Sequence, residues 1–292
     1  MKTIRIGNHK IKLSLFSIIN GLLILLVCFV TLYPFWYIIV CSISDGAYLI
    51  QGKISFLPKG INFEAYKILF KYPLTLRSYG NTLLYVSLGT LISMVLTILG
   101  AYPLTRREFK LRGVMSFYIA FTMLFSGGMI PTYLVVTSLK MAGTIWSVII
   151  PYALSAYNLI VLRTFFQTIP DGIIEAAKID GCSHFKTLFF VVVPCSGAGI
   201  ATIFLFYLVG HWNSFMPGVL YLTGEPEMLP IQNILRNIVL LGNNIDSAMG
   251  QPEIAEGVRY ATIVITAIPI IIVYPFLQKY FQKGVMIGGI KG

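Results

Sequence analysis

The sequence predicts an all-α integral membrane protein with six transmembrane helices. Three observations lead there. The 292 residues are 57% hydrophobic and only 11% charged, with a mean hydropathy of +0.80, whereas a soluble domain carries about 25% charged residues. Six runs each offer the roughly 20 apolar residues that a membrane crossing needs. Lys and Arg concentrate between alternate runs. The net charge of +11 therefore sits between apolar runs rather than on one soluble face, and it does not mark a nucleic-acid surface.

The runs fall near 15–40, 81–104, 114–138, 143–162, 189–210 and 260–278. No soluble segment or tandem repeat separates them, so 1–292 reads as one transmembrane domain. The first run follows Lys2, Arg5, Lys10 and Lys12, as a signal peptide would. It continues for about 30 residues with no small-x-small cleavage site after it, so it is a retained span, bent near Pro34. The third run is interrupted by Ser126-Gly127-Gly128-Met129-Ile130-Pro131. Two glycines and a proline disfavour a helix interior. Such breaks persist where the backbone faces protein or a water-filled path; a plain kink filled by a neighbouring helix is the alternative.

Two long connections have shape of their own. In 44–80, the segment 63–70 repeats apolar residues at three and four, as an amphipathic surface helix does. The connection 211–259 is net acidic and rich in Gly, Pro and Asn, so loops should predominate. A short helix can start near Leu229-Pro230, with proline in its first turn.

Six spans put both termini on one side. The N-terminus, the 105–113 and 163–188 loops and the tail hold 14 of the 22 Lys and Arg, and the longer loops on the other side hold 8. By the positive-inside rule both termini lie in the cytoplasm.

Much chemistry is absent. No run contains Asp, Glu, Lys, Arg or His within these bounds, which weakens a proton-coupled carrier. The segment from Gly46 to Lys53 has five residues between its glycines, and Ile54 follows where a phosphate loop needs Ser or Thr. His9, His184 and His211, with Cys28, Cys41, Cys182 and Cys195, show no metal-ligand spacing. The chain is expected to be no enzyme and to hold no cofactor or metal itself.

The polar insert between the fourth and fifth runs is different. Thr168 can cap a helix whose first turn holds Pro170 and Asp171. Ile173, Ile174 and Ala177 form a weak apolar face, and Ala176 and Ala177 permit close approach. Asp180-Gly181 ends the helix, with Gly181 in a left-handed turn. A second short helix, 183–188, leads into the fifth run. A loop that only covers headgroups would be basic. This one balances Arg163, Lys178 and Lys186 against Asp171, Glu175 and Asp180, which suits a docking helix. In the fourth run, Asn158 beside Tyr157 is the most suggestive polar residue. It serves either a passing solute or an interhelical hydrogen bond worth about 0.6–2 kcal/mol.

Glu175-Ala176-Ala177, Gly181 and Pro194, with Val191 and Val193 between, resemble the EAA loop of ABC importer permeases. Trp212-Asn213 after the fifth run, the segment 125–134 and the ending 284–292 are similar to the maltose-type carbohydrate uptake family, LplC/YtcP-like branch. The resemblance implies a permease subunit of an ATP-driven importer for oligosaccharides. Its partners would be a second permease subunit, two ATPase subunits that bind ATP and Mg, and an external solute-binding protein. Glu175, Ala176, Ala177, Asp180 and Gly181 would couple to the ATPase. Candidate substrate-path residues are Tyr157, Asn158, Gly127, Gly128, Trp212 and Asn213. The segment 221–237 would either reach into the docked binding protein or act as a lid, and the tail 284–292 would either enter the ATPase dimer or end free. A permease for a non-sugar solute and an ion-coupled secondary carrier are the competing classes.

Overall fold

The computed structural model describes residues 3–6, 9–12, 15–239 and 252–288, with side chains for 15–239 and 254–275. It divides into two units, Met1–Lys71 with Ile238–Ile265, and Tyr72–Asn237 with Thr266–Gly292. Apart from one hairpin, the described elements are helical.

The first unit opens with that hairpin, β1 (Thr3–Ile6) paired antiparallel to β2 (His9–Lys12), with Ile4 opposite Ile11. It is a short addition to an otherwise helical architecture. Ile4 and Ile6 alternate with Thr3 and Arg5, and Ile11 stands between Lys10 and Lys12, the period of a strand rather than a helix. Helix α1 (Leu15–Ser42) follows, with only Val40, Cys41 and Ser42 buried. Helix α2 (Gly46–Ile50) is capped by Asp45, whose carboxylate accepts from the Ala47 amide. Helix α3 (Glu64–Lys71) is the expected amphipathic segment, its first amide donating to the Asn62 side chain and Leu69 buried.

The second unit is built on α4 (Pro73–Ala101), which starts with Pro73 in its first turn. It begins eight residues before the expected span, at 73 rather than 81. Its buried face reads Thr75, Ser78, Thr82, Val86, Thr90, Ser93, Thr97 and Ala101. Small residues at helical spacing let backbones approach closely, which is how helices associate in lipid. Helices α8 (Ala156–Gln167) and α12 (Gly197–Trp212) pack on this face. The core comprises Met94, Ala101, Leu159, Leu162, Phe166, Leu188, Val192, Ile203 and Tyr207, among others.

Three helix pairs are bent. Helices α5 (Arg112–Leu124) and α6 (Met129–Ser138) meet at 113°, with Gly128 at φ 88° between them. This is the break expected at 126–131, and Pro131 falls in the first turn of α6, where its missing donor costs nothing. The other two breaks correct the continuous runs expected at 143–162 and 189–210. Helix α7 (Ile145–Ile149) continues as a 3-10 turn, Ile150–Tyr152, and then bends by 51° into α8. Pro151 lacks a donor and Ser155 starts a new helix by capping the Asn158 amide. Helix α10 (His184–Thr187), a π stretch Leu188–Val192 and α11 (Val193–Cys195) bend by 87° into α12. Among the described residues, three helices are long and apolar enough to cross a membrane, or up to six if each bent pair is one span.

The connection 211–259 is more helical than expected. It holds α13 (Met216–Tyr221), a 3-10 turn Pro226–Met228 and α14 (Ile231–Val239), and it ends inside α15 (Pro252–Gly288). Residues 240–251 lie outside the described residues. The segment from Glu227 to Ile231 is fastened along α4. Asn81 donates to the Glu227 carbonyl at 2.7 Å, Tyr85 to the Met228 carbonyl at 2.8 Å, and the Ile231 amide to Thr82 at 2.8 Å. The α15 backbone runs through 260–278 and on to Gly288, so most of the expected tail is helical; 289–292 lie outside the described residues.

Candidate functional site

The insert between α8 and α12 folds as a short helix seated by its own apolar residues. Helix α9 (Asp171–Ile179) begins after Pro170. Thr168 is not its cap, as the sequence suggested. Thr168 ends α8 instead, its hydroxyl donating back to the Phe165 carbonyl, because Ile169 and Pro170 separate it from the helix start. Ile174 and Ala177 are buried at 3% and 7% exposure, and Ile174 joins the core. Ile173, expected on the same face, is exposed. So are Glu175, Ala176 and Ile179, the last at 86%.

The helix end is a complete Schellman turn. The Gly181 amide donates to the Lys178 carbonyl and the Cys182 amide to the Ala177 carbonyl, both at 3.0 Å, with Gly181 at φ 77°. Asp180 is the C-cap. Ser183 then caps α10 by accepting from the Lys186 amide.

Two ion pairs hold α9 to the loop that follows α4. Arg107 meets Asp171 at 3.4 Å, and Lys178 donates to Glu108. Asp171 and Lys178 are seven residues apart, two turns along one face. Lys178 holds the Glu108 carboxyl below its usual value. The pairing is therefore present at neutral pH and is lost only as pH falls through that lowered value. Exposed pairs of this kind contribute little to stability. The buried Ile174 contributes about 1.5–3 kcal/mol, so the apolar contact seats the helix and the charges set its rotation. The Arg107–Asp171 and Glu108–Lys178 pairs were missed in the sequence. The available signal was Glu108, the single acid in the basic loop 105–113.

This arrangement gives the first prediction. Glu108→Lys should raise amide hydrogen exchange in α9 by about two- to threefold, as expected for one exposed pair turned repulsive. The swap Glu108→Lys with Lys178→Glu should restore protection. Hydrogen exchange of the purified protein checks both, and a swap no better than the single variant would mean the pairing is unimportant.

The candidate substrate-path residues do not form one cluster. Gly127 and Gly128 are exposed at the α5–α6 break, and Tyr157 is exposed on α8. Trp212 is buried, its ring nitrogen donating to the Thr266 carbonyl at 3.1 Å, and its indole meets Tyr79 edge-on. Asn213 is the exposed C-cap of α12. Asn158 alone lines a cavity of about 220 Å³ with Tyr152, Ser155, Phe206, Tyr207 and His211. Among the described residues, no carboxylate lines that cavity.

His211 was expected in a loop. It is instead on the last turn of α12, with its Nε2 3.2 Å from the Ser93 hydroxyl of α4. One turn below, the Tyr207 hydroxyl joins Thr97 of α4 at 2.7 Å and accepts from the Ser155 amide at 3.0 Å. A single phenol thus ties α4, α8 and α12. Tyr207→Phe should cost about 0.6–1.7 kcal/mol, seen as a fall of about 2–4 °C per kcal/mol in thermal unfolding of the purified protein. An unchanged midpoint would show that the three-way bond carries no weight.

The comparisons agree with this architecture. Residues 89–287 match the family described as "Binding-protein-dependent transport system inner membrane component". Protein LplC of Bacillus subtilis (strain 168) is 41% identical, covering 97% of this chain and 98% of its own length. The polygalacturonan/rhamnogalacturonan transport system permease protein YtcP of the same organism is 38% identical, covering 96% of this chain and 100% of its own length. A crystal structure of a bacterial ABC transporter involved in the import of the acidic polysaccharide alginate superposes with a TM-score of 0.85 at 36% identity, covering 91% of this chain and 96% of that one. With two thirds of its length matched to the family profile and relatives aligned nearly end to end, the chain belongs to the binding-protein-dependent transport system inner membrane components.

Proposed function

We propose that this chain is one of two permease subunits of an ATP-driven importer for oligosaccharides, with α9 as the contact that couples it to an ATPase subunit. The observation that carries this is the seating of α9. Its inner face is buried through Ile174 and Ala177 while Glu175, Ala176 and Ile179 point away from the chain. A short helix held rigidly with an apolar and acidic outer face is a surface for another protein. Glu175, Ala176, Ala177, Asp180 and Gly181 make up this coupling element. ATP and Mg reside on the separate ATPase subunits, and this chain itself performs no hydrolysis.

In this proposal each bent pair is one span. That gives six spans, places α9 between the fourth and fifth, and leaves both termini in the cytoplasm. An external solute-binding protein delivers the sugar. The fastening of 227–231 to α4 supports a lid over the external mouth rather than a segment that reaches out. Asn158, with the cavity it lines, lies on the sugar path. Gly127, Gly128, Tyr157 and Asn213 flank that path, and Trp212 supports it by packing.

The sugar is an acidic, uronate-containing oligosaccharide. YtcP is named for polygalacturonan and the superposed transporter for alginate, both acidic. A cavity lined by hydroxyls, an amide and an imidazole, without carboxylates, does not repel such a substrate. Proteoliposomes containing the whole importer and its binding protein test this. They should accumulate a labelled oligouronide when ATP is enclosed, and not its neutral reduced analogue. Accumulation without ATP, or equal accumulation of both sugars, would overturn the proposal.

A further inference from the structure

A second cavity lies where α4 ends, away from the sugar path. It has a volume of about 370 Å³, within the range of about 300–1,000 Å³ typical of small-molecule sites. Its walls are apolar, with Leu99, Pro103, Phe109, Phe185 and Leu188 contributing, and it is open on one side. Its polar lining is Tyr102, Arg106, Glu108 and His184.

Each polar group is informative. Glu108 is already occupied by Lys178. The Arg106 guanidinium lies 5.1 Å from the centre of the Tyr102 ring and its Nε donates to Thr105, so the remaining guanidinium nitrogens are held at the cavity by a stacked, positioned arm. The Tyr102 hydroxyl is buried and has no hydrogen-bond partner among the described residues, so the residue's part in the cavity is its ring, on which Arg106 rests. Lys110 and Arg112 continue the basic stretch. The site stands at the end of a helix with mean hydropathy 2.1, long and apolar enough to cross a membrane.

We propose that this cavity binds an anionic phospholipid, with an acyl chain along Leu99, Phe185 and Leu188 and the phosphate at Arg106 and His184. An apolar trough under a fixed guanidinium matches that amphiphile and no soluble anion. Basic pockets at helix ends recognise acidic headgroups in this way. The lipid would touch α4, the Glu108 loop and α10 together, so it would brace the connection through which α9 is held. This inference needs the chain to lie in a membrane, and it does not depend on the identity of the sugar or on the coupling role of α9.

The test uses the assembled importer in nanodiscs that carry a photoreactive acyl chain on either phosphatidylglycerol or phosphatidylcholine. Mass spectrometry should find label in the peptides of Leu99–Pro103 and Phe185–Leu188, about fivefold more from phosphatidylglycerol. Arg106→Gln should lower that labelling by a similar factor and Arg106→Lys should keep most of it. Leu99→Trp, which fills the trough, should remove label from both lipids. Equal labelling by the two lipids, label unchanged in Arg106→Gln, or these peptides cross-linked to a partner subunit instead would overturn the proposal. If Arg106→Gln fails to assemble, the ratio between lipids in the native importer decides alone. Oligouronide uptake by the same importer is scored separately, so failure of the lipid site and failure of the importer assignment give different results.

Discussion

Gly181→Val should leave the protein in the membrane at normal abundance and reduce ATP-driven uptake at least about tenfold. Gly181 sits at φ 77° with no atom near the position of an added Cβ, so a side chain meets no clash. The penalty is in the backbone. A β-branched residue held in the left-handed region costs about 1–3 kcal/mol, and the Schellman turn relaxes to avoid it. The two bonds that close α9 then open, and the outer face carrying Glu175 and Ile179 turns away from its partner. Gly181→Asn separates this cause from simple loss of glycine, because Asn tolerates that region. Asn should retain most uptake. Membrane abundance and uptake measured on both variants check the result, and normal uptake in the Val variant would remove α9 from the coupling role.

Gly199→Val should act in the opposite way, with protein lost from the membrane and the remaining molecules working normally. A Cβ on Gly199 would stand 2.5 Å from Cγ and 2.7 Å from Cβ of Phe165. These atoms sit close to the α8 backbone and cannot swing aside, so α8 and α12 must separate. Overpacking of this kind costs about 1–3 kcal/mol or more, a large part of the roughly 5–15 kcal/mol that holds a domain together. Gly199→Ala with Phe165→Ala should recover much of the loss, since the second change clears the space. Size-exclusion profiles of detergent-solubilised protein measure this. If the double variant is no better than Gly199→Ala alone, the contact with Phe165 is not the cause.

The two glycines show what the sequence displays and what it hides. Gly181 was legible, because a left-handed turn is a local event and Asp-Gly after a helical pattern announces it. The same holds for the break at 125–128, where Gly-Gly and Pro131 speak within a few residues. Gly199 gave no signal, because its constraint comes from Phe165, thirty-four positions away on another helix. The missed breaks at Ile150–Ser155 and Ser196 share this cause. Apolar composition marks residues that can lie in lipid, but it does not distinguish a straight helix from two pieces at an angle. His211 was misplaced for a related reason: a polar residue at the end of an apolar run reads as the start of a loop, and only the facing Ser93 makes it a helix residue. Of the α9 site, the exposed residues were legible from their spacing, whereas the ion pairs to Arg107 and Glu108 required the fold.

Helix α1 has a consequence for how the molecule is made. Its most apolar stretch has a mean hydropathy of 2.6 with nothing buried inside the chain. Since lipid tails are as apolar as leucine, such a helix gains no hydrophobic driving force from its neighbours, and it needs none of them to leave the ribosome for the bilayer. The broken pairs that come later contain glycines, prolines and hydroxyls whose backbone groups must find partners. Helix α1 can therefore enter the bilayer on its own, whereas the broken pairs depend on neighbours already there to satisfy their backbone groups.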